Sequence, residues 1–306
     1  MNQAIAAELK SEVPVIEQIS QHLINSGGKR LRPALTLLAS GAMGYRGDEH
    51  ILVAAVIEFF HTSTLLHDDV VDQSDLRRGK PTANALWGNA TSVLVGDFLL
   101  SKSFELVVRI GKLDLMRVLA EATRTISEGE VMQLTNAKNP DITEDQYMKV
   151  IEYKTAKLFE AAAITGGMIA TTDQKQLQTL ACYGRRLGNA FQLIDDLLDY
   201  SGSSQTLGKN VGDDLAEGKP TLPLVYTITH GKPDEQQLVR HAIKSGCLDV
   251  LDDVREAARR CGALDYCFRK AAEETHQAVE AISTLGDSDY KASLIELAQA
   301  SLDRCA

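Results

Sequence analysis

The chain has 306 residues, of which 44% are hydrophobic and 24% are charged, as is typical of a soluble globular protein. Its 42 acidic and 32 basic residues give a formal net charge of −10. This charge disfavours a general binder of nucleic acid or of anionic membranes, because few cations remain to neutralise phosphates.

The cysteines and the apolar runs indicate the compartment. None of the five cysteines forms a CxxC pair, which favours reduced thiols over a disulfide framework or a zinc site. No apolar run reaches the ~18 residues needed to cross a bilayer. We therefore expect a cytoplasmic protein without an integral membrane segment.

Helical periodicity recurs along the chain, whereas the sustained alternation of apolar and polar residues that is typical of strands is absent. Turn-forming residues separate the predicted helices, for example Gly27-Gly28 and Arg78-Gly79-Lys80-Pro81. No repeat or linker divides the chain, so we expect a single all-α domain over 1–306, built as a large helical bundle. The predicted helices are 2–24, 30–43, 49–73, 91–110, 114–137, 143–171, 173–201, 221–230, 234–245, 249–261, 264–284 and 288–303.

Two DDxxD motifs are the strongest chemical signal in the sequence. They are Asp68-Asp69-Val70-Val71-Asp72 and Asp195-Asp196-Leu197-Leu198-Asp199, and each follows an apolar run. On a helix the first and last aspartates of a motif share a face, where like charges repel unless something neutralises them. A solvated acidic face would account for one motif, but two on apolar helices favour a divalent cation. Magnesium typically takes one or two carboxylates together with phosphate oxygens and water, so the motifs predict a magnesium-bound diphosphate.

Basic residues lie where they could neutralise the remaining charge of such a ligand. Lys29 and Arg32 are three residues apart at a predicted helix start and can share a face, and arginine suits bidentate contact with phosphate oxygens. His61 lies seven residues, about two turns, before Asp68 on the same stripe. A solvated helix end explains the first pair equally well, and a lone histidine is more often a core or surface residue.

A basic, glycine-containing segment follows each aspartate motif. Arg77 to Pro81 predicts a loop that could cover a diphosphate. The polar stretch 207–220 contains Lys209 and Lys219, which could reach a leaving diphosphate. Asp213 and Asp214 in the same stretch fit ordinary turn residues equally well.

Six segments of the chain form a recognisable series, from about residue 10 to residue 300. They are GGKRLRP, HTSTLLHDDVVDQSDLRRGKPT, GEVMQL, KTAKLFEAA, FQLIDDLLDY and LGKNVGDDLAEGKPTLPL. In this order they resemble the trans-isoprenyl diphosphate synthases. The resemblance implies an isoprenoid synthase-type helical bundle around a deep central cavity, usually as a homodimer. It implies addition of isopentenyl diphosphate to an allylic diphosphate, with two or three magnesium ions.

The resemblance also implies a role for each matching position. Thr155 and Gln192 would stabilise an allylic cation through oriented dipoles. The implied magnesium ligands are Asp68, Asp72, Asp195 and Asp199. The implied isopentenyl diphosphate site is Lys29, Arg32, His61 and Arg78. The positions around the allylic diphosphate are Arg77, Lys154, Thr155, Gln192, Lys209 and Lys219. The residues expected to act in catalysis are Asp68, Asp72, Lys154, Thr155, Gln192 and Asp195.

Ser63 and Thr64 are expected to set the product length. One helical turn rises about 5.4 Å, close to one isoprene unit, so residues one turn before Asp68 should be the first obstacle to a growing chain. Short-chain relatives tend to carry a bulky aromatic there, whereas both residues are small in this chain. The expected product is a long all-trans chain, an octaprenyl diphosphate made from farnesyl diphosphate for quinone side chains.

Other functions remain as alternatives. A shorter-chain synthase making farnesyl or geranylgeranyl diphosphate would keep the same motifs. A non-catalytic subunit of a heteromeric synthase would be expected to lose the aspartates, and both motifs are complete. A terpene cyclase or a head-to-head synthase would not need the GGKRLRP segment.

Overall fold

A computed structural model of the chain describes residues 1–25, 27–201 and 212–305, and the fold below refers to these residues. The fold is all-α, as predicted, apart from one two-stranded hairpin. It divides into two compact units, each assembled from three segments of the chain. Unit 1 comprises Met1–Glu121, Ala161–Ala181 and Leu285–Leu294, and unit 2 comprises Ala122–Glu160, Cys182–Thr284 and Ile295–Ala306.

The core of unit 1 is built around one long apolar helix, Glu49–Val71. The helix is buried on nearly all sides between Val53 and Phe60, because almost every residue of that stretch is apolar. Ser63 donates a hydrogen bond of 2.7 Å to the Gly96 carbonyl, which ties it to a neighbouring helix. The helices that lie wholly in unit 1 are α1 Asn2–Glu8, α2 Pro14–Asn25, α3 Leu31–Ala42, α4 Glu49–Val71, α5 Ala83–Trp87 and α6 Asn89–Ile110.

Unit 2 contains the C-terminal part of the long helix Gln174–Ser201, from Cys182 onward, together with several shorter helices. Tyr183 and Tyr200 are fully buried in it. The remaining α-helices in chain order are α7 Leu113–Asn136, α8 Glu144–Ile151, α9 Lys157–Met168, α10 Gln174–Ser201, α11 Asp213–Ala216, α12 Leu222–His230, α13 Pro233–Ser245, α14 Leu251–Arg260, α15 Ala263–Ala281 and α16 Asp289–Leu302. A π-helical turn, Glu152–Ala156, joins α8 to α9. Single 3₁₀ turns cover Leu248–Val250, Ile282–Thr284 and Asp303–Cys305.

Two expectations about local structure were wrong. The predicted helix 2–24 is two helices, because Pro14 lacks an N–H and is suited only to the first turn of α2. The segment 77–81, expected to be a loop, belongs to a hairpin of β1 Leu76–Arg77 and β2 Lys80–Pro81. Its turn residues Arg78 and Gly79 both have positive φ, 55° and 73°, the pattern of a type I′ turn.

The expectation that no apolar run is long enough to cross a bilayer was wrong by length and composition. Of the described helices, α4 alone is long and apolar enough to cross a bilayer, although 61% of its apolar stretch is buried inside the structure. Burial of this extent is what a core helix shows. The apolarity of α4 therefore reflects its place in the core of unit 1.

Candidate active site

The first aspartate motif lies at the carboxyl end of α4. Asp72 caps the helix, and its N–H donates to the Asp68 carbonyl at 2.8 Å, so the two half-buried side chains are one turn apart. The last turn of α4 contains no basic residue. Because the helix macrodipole puts partial negative charge at this end, it adds to the repulsion between the carboxylates. The position therefore attracts cations.

The middle aspartate of this motif has a different task. Asp69 is fully buried, and its Oδ1 accepts from Arg77 Nε at 2.8 Å and contacts Nη2 at 2.6 Å. The buried carboxylate thus holds the first strand of the hairpin against α4. His22 of α2 contacts the Pro81 carbonyl at 2.9 Å and fixes the second strand.

Arg78 at the hairpin tip reaches the segment that precedes α3. A Cβ on Gly28 would lie 2.5 Å from Arg78 Nη1, so a side chain at this position would displace the end of the arginine. Gly28 also has φ 146°, a conformation that side chains rarely adopt. Two residues far apart in sequence, Gly28 and Arg78, are therefore fitted to each other.

Arg32 and His61 form the centre of a basic cluster in unit 1. Arg32 Nη1 lies 3.2 Å from His61 Nε2. Burial, together with the positive charges of four arginines, holds the pKa of His61 well below its ordinary value. The ring is therefore neutral at pH 7, accepts from Arg32 through Nε2 and keeps Nδ1–H as its donor. The four arginines are Arg32, Arg77, Arg78 and Arg30. Of the predicted isopentenyl diphosphate residues, Arg32, His61 and Arg78 share this cluster, and Lys29 is exposed at its edge.

In unit 2 the π-helical turn carries Lys154 and Thr155. A π turn inserts an extra residue into a helix and often marks a functional site. Lys154 Nζ donates to Glu130 Oε2 at 2.8 Å. A Cβ on Gly129 would lie 2.6 Å from the Lys154 backbone nitrogen, so α7 passes very close to the turn. The sequence motif GEVMQL thus supplies both the glycine that permits this contact and the glutamate that holds the lysine.

Two glycines on α10 bring Gln192 opposite Thr155. A Cβ on Gly188 would lie 2.5 Å from Ala156 Cα, and one on Gly184 2.5 Å from the Phe159 carbonyl oxygen. Gln192 is one turn further along the same face. Its Oε1 accepts from the Thr155 hydroxyl at 2.9 Å, which joins the two predicted catalytic residues directly.

Asp196 completes this hydrogen-bonded chain and was not assigned a role from the sequence. Its Oδ1 accepts from Gln192 Nε2 and its Oδ2 from the Tyr147 hydroxyl, both at 2.6 Å. Burial raises the pKa of Asp196 to about 8, and the nearby Asp214 acts in the same direction. Asp196 could have been suspected as the middle residue of the motif. Nothing in the sequence points to Tyr147, because only the packing of α8 beside α10 brings it there.

The outer aspartates of the second motif have unlike surroundings. Asp195 is half-buried and pairs with Arg304 at 2.7 Å, whose guanidinium lies 4.7 Å from the centre of the Phe191 ring. Asp199 is fully buried, and its two oxygens accept from the backbone N–H groups of Gly212 at 3.2 Å and Asp214 at 3.3 Å. Asp199 therefore anchors the start of α11, and its role as a metal ligand stays a prediction.

The other predicted residues are placed as follows. Lys219 forms an ion pair with Glu217, and Lys209 lies outside the described residues. Ser63 is buried, whereas Thr64 is half-buried and donates to the His61 carbonyl at 2.8 Å. Ser63 also bonds to Gly96 of α6, so a larger residue at position 63 would disturb α6. A larger residue at position 64 would disturb α6 less.

The donor sets fit magnesium better than a metal that needs a complete protein cage. Among the described residues, no group of three or more His, Cys, Asp or Glu side chains could hold a metal ion. Magnesium usually keeps several waters and binds through one or two carboxylates and substrate phosphates. The partly accessible carboxylates Asp68, Asp72 and Asp195 suit that mode.

The chain is similar to known proteins over almost its whole length. The polyprenyl synthetase family model matches residues 13–259. The octaprenyl diphosphate synthase of Escherichia coli K12 is 50% identical over 99% of this chain and 94% of its own length. The geranyl-diphosphate-specific all-trans-nonaprenyl-diphosphate synthase of Rhodobacter capsulatus is 44% identical over the same shares. A crystal structure of a Caulobacter crescentus polyprenyl synthase with calcium and isoprenyl diphosphate superposes with a TM-score of 0.96, at 43% identity and coverage of 100% of this chain and 94% of that one.

Proposed function

Since the chain belongs to the polyprenyl synthetase family and is a trans-prenyltransferase with the isoprenoid synthase fold, we propose that it lengthens an allylic diphosphate with isopentenyl diphosphate. The observation that carries this proposal is the basic cluster of unit 1. A cyclase has no second anionic substrate, whereas Arg32, His61 and Arg78 gather beside the aspartate motif. These residues and Lys29 would bind the isopentenyl diphosphate.

We propose that two or three magnesium ions bind through Asp68, Asp72, Asp195 and Asp199. Support comes from the position of both motifs in the last turns of long helices that carry no basic residue there. The Caulobacter crescentus relative also holds a divalent cation together with isoprenyl diphosphate. Bound magnesium would neutralise the diphosphate and make it a better leaving group.

The protein's own groups then serve the allylic substrate. Lys154 is oriented by Glu130 and would contact the leaving diphosphate, as would Arg77, Lys209 and Lys219. When the carbon–oxygen bond breaks, the Thr155 hydroxyl, the Gln192 oxygen and the Lys154 carbonyl would turn their negative ends toward the allylic cation. The double bond of isopentenyl diphosphate attacks that cation, and loss of a proton to the released pyrophosphate completes the cycle.

We propose that the product is octaprenyl diphosphate, made from farnesyl diphosphate for quinone side chains. The relatives named for eight and nine isoprene units share half or nearly half of their residues with this chain. The small residues Ser63 and Thr64 leave space one turn before Asp68. A shorter product remains the alternative outcome.

We also propose one catalytic domain over 1–306, acting as a cytoplasmic homodimer. The domain proposal is supported by α7, α9, α10 and α16, each of which contributes residues to both units. The homodimer is supported by two apolar side chains on one face of α6, Leu94 and Val108, which are 66% and 70% exposed.

A turnover assay tests the function. The protein is incubated with magnesium, farnesyl diphosphate and labelled isopentenyl diphosphate, and the products are sized by mass spectrometry. We expect a product near eight isoprene units. A product of three or four units would keep the reaction and contradict the role of Ser63 and Thr64, whereas no incorporation would indicate a non-catalytic subunit.

A further inference from the structure

Glu58 is a buried carboxylate that lies beside the basic cluster of unit 1 and takes no part in the chemistry above. It is only 9% exposed and precedes His61 by three residues on the same face of α4. A buried carboxylate is costly unless it is paired and hydrogen-bonded. Its position therefore calls for a specific partner.

That partner is Arg30, the N-cap residue of α3. Arg30 Nη1 lies 2.5 Å from Glu58 Oε1, and Arg30 Nη2 donates to the Ile24 carbonyl near the end of α2 at 2.8 Å. Arg30 is in the left-handed conformation, with φ 49° and ψ 38°. Residues other than glycine and asparagine rarely adopt this backbone conformation, and the conformation persists only when the surrounding structure holds it. The ion pair supplies that hold.

The conformation of Arg30 decides the direction of its neighbours. Lys29 precedes it and Arg32 follows it by two residues, so the turn at Arg30 sets where both cations point. Glu58 also lies within electrostatic reach of Arg32 and Arg78. Its Oε2 is buried and has no hydrogen-bond partner among the described residues. One oxygen thus fixes the turn at Arg30, and the carboxylate as a whole acts electrostatically on the basic cluster.

We propose that Glu58 is a positioning residue for the isopentenyl diphosphate site: by holding Arg30 in its left-handed turn, it aims Lys29 and Arg32 at the incoming diphosphate. This inference rests on the proposed function of the cluster. Glu58 does not touch the substrate and acts through Arg30. A simple stabilising role explains less, because buried ion pairs contribute little net stability compared with apolar pairs of similar size.

The test compares Glu58→Gln with the wild-type protein. Glutamine keeps the size and one acceptor oxygen but loses the charge. We expect the KM and the Kd for isopentenyl diphosphate to rise about tenfold, as for a lost charge-assisted hydrogen bond, while the KM for farnesyl diphosphate and kcat stay within about twofold. Kd is measured by calorimetry with isopentenyl diphosphate alone, so it does not depend on turnover.

Glu235→Gln is the matched control. Glu235 is also buried, at 4% exposed, pairs with Arg260 at 3.0 Å and lies on α13 in unit 2. The Glu235→Gln substitution should lower thermal stability without changing the KM for isopentenyl diphosphate or for farnesyl diphosphate. Arg30→Gln and the double variant complete a double-mutant cycle. If Glu58 acts through Arg30, the three variants raise the isopentenyl diphosphate Kd by the same factor, and additive effects would contradict the proposal.

Two further outcomes keep the inference separate from the proposed function. If Glu58→Gln fails to fold, the apolar pair Glu58→Leu with Arg30→Leu replaces it, and the same rise in Kd is expected. A wild-type protein that binds isopentenyl diphosphate without turnover would contradict the proposed function but still allow the Kd comparison. A wild-type protein that does not bind it would overturn both, and an unchanged Kd in Glu58→Gln would overturn the positioning role alone.

Discussion

Individual residues in unit 1 show two ways of holding an arginine. Buried carboxylates fix Arg77 and Arg30, whereas Arg32 is met by the neutral ring of His61. A carboxylate neutralises the cation that it holds, whereas a neutral ring orients an arginine without adding a negative charge. The cluster therefore combines fixed geometry with excess positive charge, as an anion site requires.

Replacing Asp68 tests the metal assignment. Asp68→Asn keeps the shape of the side chain but removes its charge, and should lower kcat about 10²–10³-fold, as losses of preorganised charge do. The measurement is turnover over a range of magnesium concentrations. Asp114→Asn, at a site 69% exposed on α7, is the control and should be inert. Normal activity of Asp68→Asn at ordinary magnesium would contradict the assignment.

The buried ring of His61 should make stability depend on pH. Its pKa is lowered in the folded state, so the unfolded chain binds a proton first as the pH falls below ~6.5. The wild-type free energy of unfolding should therefore fall by roughly 1 kcal/mol more than that of His61→Gln between pH 6.5 and 5.5. Urea denaturation of both proteins at each pH gives this difference. Parallel pH dependence would mean that the pKa of His61 is not lowered in the folded state.

The packing of α10 against the π-helical turn depends on glycines, which have no side chain. Gly184 and Gly188 allow α10 to approach the π-helical turn and the start of α9 within backbone distance. That approach makes the hydrogen bond between Thr155 and Gln192 possible. The position of the proposed catalytic pair, Thr155 and Gln192, is thus set by two residues that have no side chain.

Gly188→Ala tests this contact between elements. The added methyl group would lie 2.5 Å from Ala156 Cα, a backbone atom that cannot turn aside. We expect a loss of about 1–3 kcal/mol in the free energy of unfolding, as for other overpacked sites, and a lower kcat because Gln192 moves from Thr155. Gly286→Ala, which meets no atom within 4 Å, is the control. Equal effects of the two substitutions on kcat would exclude a special role for Gly188.

Bulk on α4 tests the control of product length. Thr64→Phe places an aromatic ring one turn before Asp68 at a half-buried position and should shift the main product to a shorter chain, while keeping the first condensation. Mass spectrometry of the products measures the shift. Thr135→Phe, on the exposed surface of α7, should leave the product unchanged. An unaltered product in Thr64→Phe would place the length control elsewhere.

Across the whole molecule, helix bounds and caps could be predicted from the sequence because they depend on neighbouring residues. Contacts between residues far apart in the sequence could not be predicted, because tertiary packing creates them. The bounds of α3 and α4 and the capping box of Thr143 and Gln146 follow from periodicity and capping chemistry. The Asp196–Tyr147 and Glu58–Arg30 pairs join residues 49 and 28 positions apart, so no local pattern reveals them. The hairpin was missed because its turn uses arginine where asparagine or glycine is usual.

The exposed apolar side chains Leu94 and Val108 on α6 give a test of assembly. Leu94→Glu with Val108→Glu should convert the proposed homodimer into a monomer, because charges would be buried in the interface. Light scattering after size exclusion gives the mass. Leu248→Glu, at an exposed apolar site in unit 2, should not change it. A wild-type monomer would remove the basis for this interface.

The π-helical turn has a consequence for insertions and deletions. Glu152–Ala156 holds one residue more than a continuous α-helix would need between α8 and α9. Deleting one of these residues would restore a regular ladder and leave the positions after it close to their present directions, because the turn absorbs the surplus residue. The small residues that meet α10 would therefore keep their contacts, whereas Lys154 and Thr155 would lose the widened turn that carries them. A deletion of one residue here is therefore expected to remove the local geometry of the candidate site and to spare the helix packing around it.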